Sequence, residues 1–256
     1  MRPMLKWGMR GFCMLAILLG AMQPAHAAEP AVRVLFGLNK PPYIIEGEHR
    51  GLEYELISTV FADMGYRIDP VFVPPARMVS LVRAGAFDVA TTVRASSGLP
   101  GFYSAPYMQY QNMAFVLAKR RIILRSVDDL SDYSVVAFQN AHLVLGDAFR
   151  HMTLHNVRYL EVSPQWIENN LLYSGHVDVA VADRRIFQYF NQEVKSHLDT
   201  RQPIRMFALF APTDYQAVFH DGHLRDLFNK SLARIKQDGR YDAVVARYSP
   251  AADARD

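Results

Sequence analysis

One pattern occurs twice in the chain, ninety positions apart: "AGAFDVATTVRA" at 84–95 and "SGHVDVAVADRR" at 174–185 both read Gly-x-x-Asp-Val-Ala-x-x-x-Arg. The residue types at the two ends suit charge pairing with a small polar molecule. Arg94 offers a planar guanidinium that matches a carboxylate, Thr91 and Thr92 offer hydroxyls, and Asp183 offers an acceptor for an ammonium. Only the second copy ends its apolar run on an acid. Two readings of Asp183 stand side by side, a ligand-facing carboxylate or the N-cap of a helix over "RRIFQYF", because Asp is among the best caps. Arg94 likewise reads as a ligand contact or as a surface residue of a Gly/Ser-rich loop.

A second candidate is Gln139-Asn140-Ala141-His142, where the strand-like "SVVAF" gives way to a helix. Unpaired N–H groups and the dipole at a helix start attract anions, although Asn140 could serve as a cap alone. Tyr43, after the double proline of "NKPPY", reads as a ligand platform or a half-buried wall residue. His151 with His155, and His220 with His223, have metal-ligand spacing, but the first pair straddles a helix end and the second flanks Asp221, a natural N-cap. Neither is taken as a metal site, and no cofactor is expected. The sequence contains no Gly-rich phosphate loop, no Gly-x-Ser-x-Gly elbow and no cysteine nucleophile beyond residue 27.

The elements that must carry these residues follow from periodicity. "VRVLFGL" (32–38) reads as a strand that stops at an extended double-proline turn. Leu52, Leu56, Ile57, Val60, Phe61 and Met64 recur at helical spacing up to Gly65. "RIDPVFVPP" is a second strand, "ARMVSLVRAG" a short helix and "FDVATTV" a third strand, a β-α-β-α-β order that predicts an open parallel sheet. The second half repeats this grammar: "SVVAF" (134–138), a helix over 141–149, "VRYLEV" (157–162), a helix around "QWIENNLLYSG" and "VDVAVAD". Pro74 matches Pro164, and Gly85, Asp88 and Arg94 match Gly175, Asp178 and Arg184. Two similar α/β lobes explain the repetition, with convergence on a common helix-glycine-strand idiom as the rival account. The C-terminal part is helical, with one stripe through Leu224, Leu227, Phe228, Leu232 and Ile235 and another through Tyr241, Val244, Val245 and Tyr248.

In open parallel sheets ligands gather at the carboxyl ends of the strands. Two facing lobes would set Thr91, Thr92 and Arg94 against Asp183 across a polar cleft.

Residues 1–27 read as a secretory signal peptide: a cationic "MRPMLKWGMR", an apolar "GFCMLAILLGAM" and the small-x-small site Ala25-His26-Ala27. The apolar run falls short of the roughly 20 residues a membrane helix needs. Removal after Ala27 takes three of the 28 Lys+Arg, so the remaining 229 residues hold 25 basic against 25 acidic residues. A neutral chain with one short basic cluster, Lys119-Arg120-Arg121, gives no electrostatic footprint for nucleic acid. The sole cysteine, Cys13, leaves with the signal, so the exported chain relies on its core rather than on disulfides.

The succession "KPPYIIEGEHRGLEYELISTVFADMGY", "LVRAGAFDVATT", "FYSAPY", "SVDDLSDYSVVAFQNA", "LLYSGHVDVAVADRR" and "LRDLFNKSLARIKQDGRYDAVVARY" resembles the family 3 extracellular solute-binding proteins, the periplasmic components of polar amino acid ABC transporters. The resemblance implies a type II periplasmic-binding fold, two α/β lobes joined by two hinge strands. Lobe one would comprise 28–108 and 216–256, and lobe two 109–215 with crossings near 108–111 and 211–215. It further implies a periplasmic monomer that captures a small polar solute, an amino acid or related amine or carboxylate, for an ABC permease.

By the same resemblance Asp183 meets a ligand ammonium, Thr92 is a hydroxyl contact, and Gln139, Asn140, Ala141 and His142 form a backbone anion pocket. Three departures stand out. The family's Ser/Thr-x-x-Arg clamp is missing, which leaves Arg94 or Arg77 to take a carboxylate. Lys40 stands where an aromatic lid is common, and Asn140-Ala141-His142 replaces a Gly-Ser/Thr-Thr run. Two alternatives share the scaffold: a dehydratase of the cyclohexadienyl type, with Glu46, Glu53, Glu55, Asp183 and His142 as candidate acids, and a sensory module serving a membrane receptor.

Overall fold

The computed structural model describes residues 30–249; the expected signal peptide, residues 1–27, lies outside them. In chain order the elements are β1 Ala31–Phe36, α1 Leu52–Asp63, β2 Arg67–Phe72, α2 Pro75–Arg83, β3 Val89–Val93, β4 Phe102–Tyr103, β5 Met108–Tyr110, β6 Asn112–Leu117, β7 Val135–Phe138, α3 Ala141–Val144, α4 Asp147–His155, β8 Tyr159–Val162, α5 Trp166–Tyr173, β9 Val179–Asp183, α6 Arg184–Val194, β10 Ile204–Phe207, β11 Thr213–Phe219, α7 Gly222–Gln237 and α8 Arg240–Arg247.

They form two sheets. The first lobe is built on the order β2-β1-β3-β11-β4, with β5 alongside β11; the second on β10-β6-β9-β7-β8. In each, the repeated strand-helix-strand units pair in parallel, β1 with β2 and β3, and β7 with β8 and β9, while β11 and β6 run antiparallel to them.

Alternation along a strand sends successive side chains to opposite faces, and both faces of each sheet are covered. In the first lobe Val34 and Phe36 pack with Leu56, Val60 and Phe61 of α1 and Phe228 and Leu232 of α7, whereas Leu35 packs with Met78 and Val82 of α2. In the second, Val135, Val179 and Val181 pack with Phe149 and Met152 of α4, and Val136, Ala180 and Ala182 with Leu172 of α5 and Phe187 of α6. Burial on both faces is why "VATTV" and "VAVAD" read as nearly unbroken small and branched runs.

Between β5 and β6 the chain passes from the first sheet to the second, and it returns between β10 and β11. There Tyr110 pairs with Thr213 and Met108 with Tyr215.

Two local expectations change. The single helix expected over 141–149 is two, α3 and α4, because Gly146 adopts a positive φ of 93° between them. The double-proline segment is a tight turn rather than an extended one: the N–H groups of Tyr43 and Ile44 both donate to the Lys40 carbonyl, and the Lys40 N–H donates to that of Ile44. This fold-back holds Lys40 and Tyr43 at the end of the first sheet.

Candidate ligand-binding cleft

A cleft of about 400 Å³ opens between the sheets. The first lobe contributes Lys40, Pro75 and Arg94; the paired crossing strands contribute Tyr110, Thr213 and Tyr215; the second lobe contributes Asn112, Phe138, Gln139, Asn140, Val144, Val162, Ser163, Gln165, Asp183 and Ile186. Its volume lies within the range of small-molecule sites.

Asp183 stands at its floor. It ends β9 and caps α6, its Oδ1 accepting the N–H groups of Arg185 and Ile186 at 3.0 and 3.2 Å. The same oxygen accepts the Tyr43 hydroxyl of the first lobe at 2.9 Å, and Oδ2 accepts the N–H of Gln111 at 2.9 Å. The two readings of Asp183 therefore coexist: it is a cap, and it lines the cleft. Burial pushes its carboxyl above the usual range, against the pull of the backbone donors and Tyr43. Oδ2, with one donor, retains acceptor capacity.

Tyr43 is buried behind Tyr110, with ring centroids 4.1 Å apart, and supports the wall without lining it. Tyr110 in turn packs on Tyr215 at 4.7 Å. The platform facing the cleft is thus Tyr110 with Tyr215, and Lys40 sits over Tyr110, its Nζ 5.5 Å from the ring centre. Lys40 keeps surface open to solvent at the mouth, yet both lobes crowd its ammonium. Desolvation lowers its pKa, while the carboxylates of Glu53 and Asp183 oppose that shift.

Thr92 also lies behind the wall. Its backbone takes a left-handed φ of 55°, its hydroxyl donates to Glu53 Oε1 at 2.5 Å, and its N–H donates to the Tyr107 hydroxyl, which itself donates to Glu53. Arg94, two residues on, reaches the cleft. Among the described residues its guanidinium has no ion-pair or hydrogen-bond partner. Arg77 is exposed on α2 and is not part of the lining.

The expected anion pocket at 139–142 holds a carboxylate of the chain itself. The N–H groups of Asn140 and His142 donate to Glu161 at 2.7 and 3.0 Å, the His142 ring lies 2.6 Å from it, and the Tyr159 hydroxyl donates to it at 2.7 Å. Burial alone would raise the Glu161 carboxyl, but these four contacts outweigh it and hold the group at about 2. His142 is turned to this pair, outside the lining, while Gln139 and Asn140 remain on the wall.

The structure thus brings Lys40, Arg94, Gln139, Asn140 and Asp183 together and leaves Tyr43, Arg77, Thr92 and His142 behind or beside the cleft. Tyr110, Tyr215, Asn112 and Thr213 went unnoticed in the sequence. Their only signal was position at the two chain crossings. Glu161 carried none, being one acid in a strand-like run.

The sequence matches the model of the bacterial extracellular solute-binding proteins, family 3, over residues 32–251, and the chain belongs to that family. No curated protein matches it. Among solved structures it is similar to the GluR0 ligand-binding core complexed with L-glutamate (14% identity, 87% of this chain and 99% of that one, TM-score 0.67). It is also similar to an ancestral cationic amino acid solute-binding protein (17%, 85% and 95%, 0.66) and to a histidine kinase sensor domain with similarity to periplasmic binding proteins (20%, 85% and 95%, 0.62). At these identities the likeness is one of fold, the type II periplasmic-binding-protein fold.

Proposed function

We propose that this protein is a non-catalytic periplasmic solute-binding component, which captures a small polar solute of the amino acid, amine or carboxylate class between two closing lobes and delivers it to an ABC permease. The observation that carries the reading is the cleft itself: walls from both lobes, with the guanidinium of Arg94 on one side and the carboxylate of Asp183 on the other. A ligand that bridges the two walls stabilises the closed arrangement more than the open one, and that difference is what a partner can sense. Amino acids bound in the GluR0 core and in an ancestral arginine-binding protein of the same fold favour this ligand class.

The lobe boundaries belong to the same proposal: 28–108 with 216–256 as lobe one, 109–215 as lobe two. The pairing of Met108–Tyr110 with Thr213–Tyr215 between the sheets supports a double crossing there.

The test is a melting screen of amino acids, amines and small carboxylates, followed by solution scattering with each hit. A ligand at about 100 Kd contributes about 2.7 kcal/mol, or roughly 5–10 °C for a chain of this size, and should reduce the radius of gyration. A screen in which no solute raises the midpoint, or in which binding leaves the dimensions unchanged, would refute capture by closure.

A further inference from the structure

We infer that the captured solute is a dicarboxylate, with at most one ammonium group, and that its two carboxylates are taken by Arg94 and Lys40. The inference rests on the capture reading above and follows from which polar groups at the cleft are already engaged.

The two carboxylates nearest the wall are committed internally. Asp183 receives four donors, leaving room for one more on Oδ2. Glu53, behind Tyr107, receives the hydroxyls of Thr92 and Tyr107. The turn of the second lobe that could bind an anion through backbone N–H groups is filled by Glu161. Its remaining lining is uncharged: amide and hydroxyl side chains beside Phe138, Val144, Val162 and Ile186.

The unspent groups are cationic. Among the described residues neither the Arg94 guanidinium nor the Lys40 ammonium has a carboxylate or other acceptor in bonding range, although both residues line the cleft and together carry up to eight N–H donors. The Tyr110 ring lies beneath the Lys40 ammonium, and the carboxylates of Glu53 and Asp183 act on it from beyond bonding range. A ligand that leaves these cations unpaired forfeits the charge-assisted bonds and further desolvates both groups. A neutral zwitterion supplies one carboxylate for two cations; a basic solute adds a third cation. A dicarboxylate supplies one for each, and Asp183 has room for a single ammonium if one is present. About 400 Å³ fits a solute of this size.

The test measures affinity by calorimetry for succinate, L-glutamate, L-aspartate, L-glutamine, L-asparagine, L-lysine and putrescine. The dicarboxylates should bind at least about tenfold more tightly than the amides, and more tightly still than the cations. R94M and K40M should each weaken dicarboxylate binding about tenfold to a hundredfold without moving the melting point of the unliganded protein. R184M, at the exposed arginine of the second copy, should leave affinity unchanged. An amide or cation bound as tightly as the dicarboxylates, or dicarboxylate affinity unaltered in R94M and K40M, overturns this assignment and leaves solute capture standing. If R184M weakens binding as much as R94M does, the assignment also falls. If no member of the panel binds, the dicarboxylate assignment falls, and the wider melting screen above decides solute capture.

Discussion

The two copies of Gly-x-x-Asp-Val-Ala-x-x-x-Arg fold alike through the strand and part at its end. Gly85 and Gly175 both take positive φ, 67° and 78°. Asp88 accepts the N–H of Arg33 at 2.9 Å, and Asp178 accepts that of Ser134 at 3.0 Å, each carboxylate anchoring the start of the neighbouring parallel strand. Val89 then pairs with Val34, and Val179 with Val135. At the matching positions Val93 and Asp183 the similarity ends. Val93 is buried in the first lobe's core, so the chain leaves the strand through a short turn and Arg94 enters the cleft unpaired. Asp183 caps α6 and collects donors from three segments, while Arg184 lies exposed beyond it. One acid in place of one valine turns a strand end with unspent donors into one with a nearly saturated acceptor. That asymmetry gives the cleft its two unlike walls.

The comparison breaks most visibly at Asp183. D183A should strip the cap of α6 and leave the Tyr43 hydroxyl and three N–H groups without their acceptor, a loss of about 4 kcal/mol. That corresponds to roughly 8–16 °C in a chain of this size by thermal denaturation. D183N, which keeps an acceptor oxygen for the cap, should recover about 1 kcal/mol of it. A D183A protein that melts within about 2 °C of the parent would mean that the cap and the link between lobes contribute nothing.

The two anchoring aspartates sharpen it next. Asp178 receives the N–H and hydroxyl of Ser134 and lies 3.3 Å from Arg120, whereas among the described residues Asp88 accepts a single donor, the Arg33 N–H. D178N should therefore cost about 1–2 kcal/mol and D88N under about 1 kcal/mol in urea denaturation. Burial would raise the Asp178 carboxyl, but Ser134 and Arg120 outweigh it and hold it below its usual value. A folded pKa below the unfolded one makes its stabilisation present above about pH 4 and progressively lost as pH falls through the folded value. D178N should flatten that acid limb; an unchanged acid limb would contradict the assignment.

The smallest effect tests the likeness itself. A Cβ at Gly85 would meet the His220 ring at 3.6 Å and one at Gly175 the Arg120 guanidinium at 3.6 Å, ordinary contacts in both cases. G85A and G175A should then cost only the left-handed backbone penalty, about 1 kcal/mol each, and the same in both. Unequal losses would show that the two copies are not the same local structure.

Much of this architecture was legible because it is local. The β-branched runs in "VRVLF" and "VDVAVAD", the helical stripe from Leu52 to Phe61, and the repeated Gly-x-x-Asp each depend on neighbours a few positions away, and all reappear as elements. The break between α3 and α4 was missed because a single Gly146 interrupts a pattern that is otherwise helical. The fold-back at Pro41-Pro42 was missed because its hydrogen bonds, not its composition, define it.

The cleft depends on distant partners. That Asp183 belongs near a ligand could be inferred from its place at a strand end. That it also accepts the hydroxyl of Tyr43, 140 positions away, could not. Nor could the pairing of Glu161 with the turn at Asn140, or the packing of Tyr110 between Tyr43 and Tyr215. By itself the sequence determined the repeated strand-helix units and their order, since backbone propensity and hydrophobic period act over a few residues, whereas the antiparallel strands β4, β6 and β10 were not read from it. Which charges are satisfied and which stay free to meet a ligand was decided by the tertiary structure alone, because a carboxylate is neutralised by whatever donors the fold carries to it.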